Sequence, residues 1–315
     1  MKPLLCVIVP CYNEEEVLEV TTAKLKKVIE QCIQKDLICE NSFIRYIDDG
    51  SSDNTWQIIE EECKKSLLVS GIKLSRNFGH QNALLAGMMS VRDVADCILS
   101  IDADLQQDEN CIPDFVNKYM EGNDIVIGVR KNRQTDSFFK RFFANCYYGF
   151  LNILGVKIQR NHSDYRLISK KAMESLSDFS ETALFLRGIF PLLGYKQAIV
   201  YHDVGKRTAG KSKYNYRKMI SLAINGVTSF SIVPMRIISF IGLFIFMVSL
   251  GMSAYVLITF INGAAIPGWS STILPIYLIG GIQLLCIGVV GEYIGKIYLE
   301  VKKRPRYIIE KETTK

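Results

Sequence analysis

Apolar and polar positions fall into a repeating block pattern over the first half of the chain. Five short apolar runs rich in β-formers, Leu4–Val9, Phe43–Ile47, Ile72–Leu74, Cys97–Ile101 and Asp124–Val129, alternate with helical patterns that start near Glu14, Asp53, His80 and Ile112. Near-continuous apolar runs separated by helices predict buried strands of an open, largely parallel α/β sheet. Asp53 precedes Thr55 and Trp56, where its carboxylate can cap a helix. Further along, Phe138–Leu154 reads as an amphipathic helix carrying Arg141 and Asn145 on one face, four residues apart. Tyr214–Ser231 reads as an interfacial helix, with Met219, Ile220, Leu222, Ala223 and Ile224 on the apolar side and Arg217 and Lys218 on the polar side.

The pattern then changes character, because no charged residue occurs from Ile237 to Gly291. Two apolar runs lie there, Ile237–Ile261 and Ser271–Gly291, separated by a turn-forming segment with Pro267 and Gly268. At about 1.5 Å per residue they span roughly 37 and 31 Å, enough to cross a hydrocarbon core of about 30 Å. They predict a transmembrane hairpin. Lys211, Lys213, Arg217, Lys218 and Arg236 precede it, and Lys296, Lys302, Lys303, Arg304 and Arg306 follow it, while the connecting loop has neither Lys nor Arg. Basic residues on the outer flanks place both termini in the cytoplasm, so the expectation is an integral protein of the cytoplasmic membrane. The start, Met1-Lys2-Pro3, leads into a strand with no signal-peptide apolar region.

Composition adds little to this and removes several alternatives. The 315 residues leave room for a catalytic core plus an accessory segment. A net charge of +6 gathers around the hairpin, where anionic lipid explains it better than nucleic acid does. The nine cysteines are scattered without a Cys-x-x-Cys pair, as small core residues in a reducing compartment would be. Neither Gly-x-Gly-x-x-Gly nor a P-loop follows any of the strands, which disfavours a dinucleotide fold and a nucleotide triphosphatase.

Candidate chemistry sits where strands end, and ligands of open α/β sheets bind at those edges. Asp102-Ala103-Asp104 follows the fourth run and aims two carboxylates one residue apart, an oxygen clamp suited to Mg2+ or Mn2+ with positions open for phosphate. Alone, so short a motif is equally a loop with one Asp capping the next helix. Pro10-Cys11-Tyr12-Asn13-Glu14 follows the first run, Asp48-Asp49-Gly50-Ser51-Ser52-Asp53 the second, and Arg76-Asn77-Phe78-Gly79-His80 the third. His80, His162 and His202 have no metal-ligand spacing, and His80 and His202 read as hydrogen-bonded structural residues.

These motifs, with the later Asn161-His162-Ser163-Asp164-Tyr165-Arg166-Leu167 and Arg207-Thr208-Ala209-Gly210-Lys211-Ser212-Lys213-Tyr214, stand in one order. That order, followed by two apolar spans, resembles the polyprenyl-phosphate glycosyltransferases of inverting glycosyltransferase family 2, among them bactoprenol glucosyltransferases and dolichyl-phosphate mannose synthases. The resemblance implies a Rossmann-like GT-A domain over residues 1–208, a juxtamembrane loop and interfacial helix over 209–233, membrane helices over 234–262 and 271–295 joined by an extracytoplasmic loop over 263–270, and a basic cytoplasmic tail over 296–315. It implies a nucleotide-sugar donor, with UDP-glucose the first choice and GDP-mannose the alternative, and undecaprenyl phosphate or a similar lipid as acceptor.

Site roles follow by the same resemblance. Pro10, Tyr12, Glu14, Arg76 and Ala103 would hold the nucleotide with Asp49, the best candidate to accept a base N–H, or Asp48 in its place, and Arg207 or Lys213 would reach the diphosphate from a covering loop. Asp102, Asp104 and Gln106 would bind Mg2+ or Mn2+, while Arg130, Arg141 and Asn145 would grip the acceptor phosphate. A phosphate monoester with a second pKa of about 6 arrives mostly dianionic, so Asp164 is expected to position the acceptor rather than serve as a base. Gly291-x-x-x-Gly295 could pack helices into a homo-oligomer. A processive polysaccharide synthase would carry Gln-x-x-Arg-Trp, yet the only tryptophans are Trp56 and Trp269. The rival of another class is a catalytically silent membrane protein that binds nucleotide sugar or lipid phosphate as a regulator.

Overall fold

The computed structural model describes residues 2–104, 106–131, 162–179, 181, 186–203 and 269–313, with isolated positions between 238 and 258. Arg141, Asn145, Arg207, Lys213, the segments Phe138–Leu154 and Tyr214–Ser231, and most of the first expected span lie outside them.

The chain runs β1 (Leu5–Cys11), α1 (Leu18–Gln34), β2 (Phe43–Asp48), α2 (Thr55–Lys65), β3 (Val69–Leu74), α3 (His80–Ser90) and β4 (Cys97–Ser100). After a 3-10 turn at Glu109–Cys111 come α4 (Ile112–Met120), β5 (Ile125–Arg130), β6 (His162–Ser169), α5 (Lys170–Ser177), α6 (Leu186–Leu192), β7 (Gln197–His202), α7 (Trp269–Val301) and β8 (Ile309–Glu312). The five apolar runs read from the sequence are β1 to β5, each within a few residues of its expected bounds.

All eight strands form one sheet in the order β7-β5-β6-β4-β1-β2-β3-β8. The neighbours β4, β1, β2 and β3 are parallel, and β7 runs parallel to β5, while β6 and β8 pair antiparallel with their neighbours. This is the mostly parallel α/β sheet that the sequence predicts.

Helices cover both faces because each central strand sends alternate side chains to opposite sides. Along β1, Leu5, Val7 and Val9 join one apolar cluster with Leu18, Leu25 and Ile29 of α1, Trp56 and Ile59 of α2, and Phe115 and Val116 of α4. Cys6 and Ile8 face the other side, among Leu84, Leu85 and Met88 of α3, Met173 and Leu176 of α5, and Ile189 and Phe190 of α6. With β1 buried along its whole length, the carboxyl ends of β1 to β4 are held in fixed relation.

The sequence does not announce β8. After α7 the chain turns back, and β8 pairs with the free edge of β3 through Ile72 with Glu312, Lys73 with Lys311 and Leu74 with Ile309. Ser75 donates its backbone N–H to the Ile308 carbonyl at 3.0 Å, and Thr313 donates to the Gly71 carbonyl at 2.9 Å while its Oγ1 accepts from Gly71 at 2.7 Å. Glu312 also meets the Arg45 guanidinium at 2.9 Å, and Arg306 donates to the Phe179 carbonyl. The terminal segment expected as a simple basic tail is thus a strap across the sheet edge.

α7 is 33 residues long and contains the second expected span. Among the described residues no helix is long and apolar enough to cross a membrane. The first expected span falls mostly outside those residues, as do many side chains of α7, so the hairpin rests on the sequence pattern.

Candidate active site

The loops after β1 and β2 lie side by side at the carboxyl edge of the sheet, and backbone-directed side chains lace them together. Asn13, at φ 54°, accepts the Ser52 N–H at 2.9 Å through its Oδ1, and its own N–H donates to Ser51 Oγ at 3.0 Å. Glu14 donates its N–H to Thr55 Oγ1 at 2.9 Å, and Asp53 accepts the Thr55 N–H at 3.0 Å from one position ahead of Asn54, which takes the N-cap place expected for Asp53. Tyr12 stands exposed on the first of these loops. Pro10 is buried inside β1 opposite Ile47, so it shapes the end of the strand.

Asp49 is the first choice for the base N–H from the sequence, with Asp48 the alternative, and the structure gives the two carboxylates different partners. Asp49 accepts the Phe78 N–H at 2.7 Å and the Gly79 N–H at 3.0 Å, one on each carboxylate oxygen, and so holds the Arg76–His80 loop. Asp48 accepts the Ser51 N–H on Oδ1, while its buried Oδ2 has no hydrogen-bond partner among the described residues. Burial pushes both carboxyls above the ordinary carboxylate range, against the pull of the N–H groups they accept. Between them and Arg76 the backbones nearly touch. A Cβ on Gly50, which sits at φ +66°, would lie 2.4 Å from the Arg76 carbonyl carbon. Arg76 is exposed, with its guanidinium 4.0 Å from the centre of the Phe78 ring.

At the end of β4, Ala103 turns into the core and its carbonyl accepts the Thr21 hydroxyl at 2.7 Å, so Asp102 and Asp104 leave the strand on the other side. Gln107, which is 1% exposed, grips Asp102 twice. It accepts the Asp102 N–H at 2.9 Å and donates its Nε2–H to Asp102 Oδ2 at 2.6 Å. Gln106 instead donates its backbone N–H to Asp104 Oδ1 at 3.2 Å. Sequence reasoning named Gln106 and missed its neighbour.

Asp164 comes from β6, which enters the sheet antiparallel beside β4 with Ser100 opposite Arg166. Continuing that register by two residues brings Asp102 level with Asp164. Arg166, on the same face of the strand, meets Asp164 Oδ1 at 2.9 Å and lies over the Phe190 ring at 4.5 Å. Both members of this ion pair are buried. His80, the first residue of α3, reaches between the two acids, with Nε2 3.7 Å from Asp102 Oδ1 and 3.5 Å from Asp164 Oδ2. Its position after Arg76-Asn77-Phe78-Gly79 was the one available signal, and it was read as structural. His202 fits that reading better, because it is fully buried, bonded at 3.1 Å to the Asp203 carbonyl, and pushed down in pKa by burial.

Arg130 ends β5, so β6 alone separates it from β4 and Asp102. The edge thus brings together Asp102, Asp104, His80, Asp164 and Arg130. No three His, Cys, Asp or Glu side chains are grouped to hold a metal by themselves among the described residues. Asp102 and Asp104 could offer carboxylate oxygens of the kind hard cations take, and Gln106 could add an amide oxygen, with positions left for phosphate.

Residues 6–177 match Glycosyl transferase family 2, and residues 233–297 match the GtrB C-terminal hairpin. The chain is 47% identical to the uncharacterized glycosyltransferase YkoT of Bacillus subtilis over 98% of this chain and 92% of that protein. It is 37% identical to the SfII prophage-derived bactoprenol glucosyl transferase of Shigella flexneri, over 96% of each chain. A prophage bactoprenol glucosyl transferase homolog of Escherichia coli is 38% identical over 96% of this chain and 97% of its own. Among solved structures, a mannosyltransferase of Pyrobaculum calidifontis in complex with GDP-Man and Mn2+ superposes at a TM-score of 0.47, with 15% identity over 95% of this chain and 85% of that one.

Proposed function

The chain belongs to glycosyl transferase family 2, and from that membership and its hairpin match we propose that it moves a hexose, glucose from UDP-glucose first, onto a polyprenyl phosphate. Support comes from the relatives named bactoprenol glucosyl transferase, similar over nearly their whole length. The observation that carries the reading is the meeting of Asp102 and Asp164 at the edge where the β1, β2 and β3 loops open. It gives one cleft with a donor side and an acceptor side.

On the donor side, Tyr12 would stack on the base, Asp48 with its unpartnered Oδ2 would accept a base N–H after a small opening of its surroundings, and Arg76 would meet phosphate. Asp102, Asp104 and Gln106 would hold Mg2+ or Mn2+, which supplies Lewis-acid stabilisation of the departing diphosphate. Arg207 or Lys213 would cover that group. On the acceptor side, Arg130 with Arg141 and Asn145 would fix the lipid phosphate. The dianion is itself the nucleophile, so the chain has no hydroxyl to deprotonate, and Asp164 acts by placement.

The C-terminal strap supports the membrane reading on separate grounds. A chain that leaves the sheet after β7 and rejoins it at β8 must cross any membrane an even number of times. Ile276, Ile287, Ile294 and Ile297 of α7 are exposed, which suits a lipid surrounding. Two spans with the sheet and both ends in the cytoplasm satisfy all of this.

The test incubates the purified full-length protein with Mg2+ or Mn2+, polyprenyl phosphate and a panel of radiolabelled nucleotide sugars. A lipid-linked product from one donor is expected, and its absence with every donor would overturn the proposal. Asp104→Asn is expected to lower transfer by at least about 100-fold while the protein still inserts in the membrane, since a carboxylate ligand is lost and the fold is not.

A further inference from the structure

Two acids brought level on neighbouring strands repel, and something must hold them in place. Each of Asp102 and Asp164 gives one oxygen to a deeply buried partner. Gln107 takes Asp102 Oδ2 at 2.6 Å, and Arg166 takes Asp164 Oδ1 at 2.9 Å. The remaining oxygens, Asp102 Oδ1 and Asp164 Oδ2, both turn to the same atom, Nε2 of His80. His80 has little freedom to leave this place. Its backbone starts α3, directly after Gly79 at φ 90°, and Asp49 grips the Phe78 and Gly79 N–H groups ahead of it.

We propose that His80 is a positioning residue whose Nε2, standing between the carboxylates of Asp102 and Asp164, sets the spacing between the donor and acceptor halves of the site. The five residues Gln107, Asp102, His80, Asp164 and Arg166 then form one continuous polar chain. Its outer members are buried and rigid, and its central member is half-exposed in the cleft. Because the loop that carries His80 is the one Asp49 holds, the β2 and β3 loops of the donor side also fix where the acceptor-side acid stands. This inference rests on the reading of Asp102 as donor-side and Asp164 as acceptor-side.

The conservative substitution that tests it is His80→Gln, whose side-chain amide places an N–H near the position of Nε2. His80→Leu fills similar space without a donor. Full-length protein is reconstituted in nanodiscs, and three quantities are measured for each variant: kcat and KM for donor and acceptor, the dissociation constant of UDP by calorimetry, and Mn2+ affinity by electron paramagnetic resonance. For His80→Leu the expected result is a fall in kcat of at least tenfold with donor KM and UDP affinity within threefold of wild type. His80→Gln is expected to recover kcat to within about threefold. Mn2+ affinity is expected to move by at least threefold in His80→Leu and to return toward wild type in His80→Gln. A His80→Leu protein with kcat within twofold of wild type would overturn the proposal, and so would equal losses in both variants. Failure of the underlying reading looks different, for then wild type itself yields no lipid-linked product or binds no Mn2+.

Discussion

At the scale of single residues, the site is built from carboxylates whose duties are set by what they touch. Asp49 uses both oxygens on backbone N–H groups, so Asp49→Asn leaves at least one of them facing an amide that cannot accept it. An unsatisfied buried group costs about 1–3 kcal/mol, and the expected outcome is a lower melting temperature together with a raised donor KM. Gly50→Ala meets two penalties at once, a positive φ and a Cβ only 2.4 Å from the Arg76 backbone. A loss of at least about 2 kcal/mol is expected, read by thermal unfolding of the detergent-solubilised protein. Asp48 allows a test of sign. Burial raises its pKa in the folded protein, so its contribution to stability is greatest below the ordinary carboxylate range and is lost as pH rises through the folded value. Asp48→Asn lacks that loss, and its stability relative to wild type is expected to improve between about pH 4 and pH 7. A relative stability that falls over that interval would contradict the assignment.

Among the elements, β1 to β5 were legible because parallel strands buried on both faces leave continuous apolar runs. The later strands hide for different reasons. β6 carries Asp164 and Arg166, which look like loop residues until the ion pair between them is seen. β8, with the sequence Ile309-Glu310-Lys311-Glu312, is exposed throughout and has an edge strand's charges, so its pattern resembles a tail. His80 was missed as a site residue because its partners come from β4 and β6, and only antiparallel pairing of those strands brings them together. The strap offers a contrast of magnitudes. Glu312→Gln weakens one ion pair with a half-exposed acid, worth at most about 1 kcal/mol. Removing residues 308–315 takes away the β3 ladder, the Ser75 and Thr313 bonds and that pair together, about 2–4 kcal/mol at 0.5–1.5 per bond. The truncated protein is expected to melt lower and to aggregate through the bared β3 edge, as size-exclusion chromatography would show, whereas Glu312→Gln stays near wild type.

For the whole molecule, the absence of charge marks the segment that matches the GtrB C-terminal hairpin, while the return of the chain to its own sheet has no such mark, since no local pattern encodes pairing between β3 and β8. Together they predict sidedness. A protease-cleavable tag after residue 315 is expected to survive in intact cells and to be cut once the membrane is permeabilised, and cleavage in intact cells would contradict the two-span topology. The same strap orders events in time. The ribosome makes β3 before both apolar runs and β8 after them. A nascent chain can therefore assemble β1 to β7 first, but its sheet keeps an open edge until both runs have been made. If the two apolar runs cross a membrane, closing that edge also requires them to bring the chain back to the side where the sheet lies. Sheet completion would then depend on correct insertion, and a chain that failed to return would keep an unpaired β3 edge.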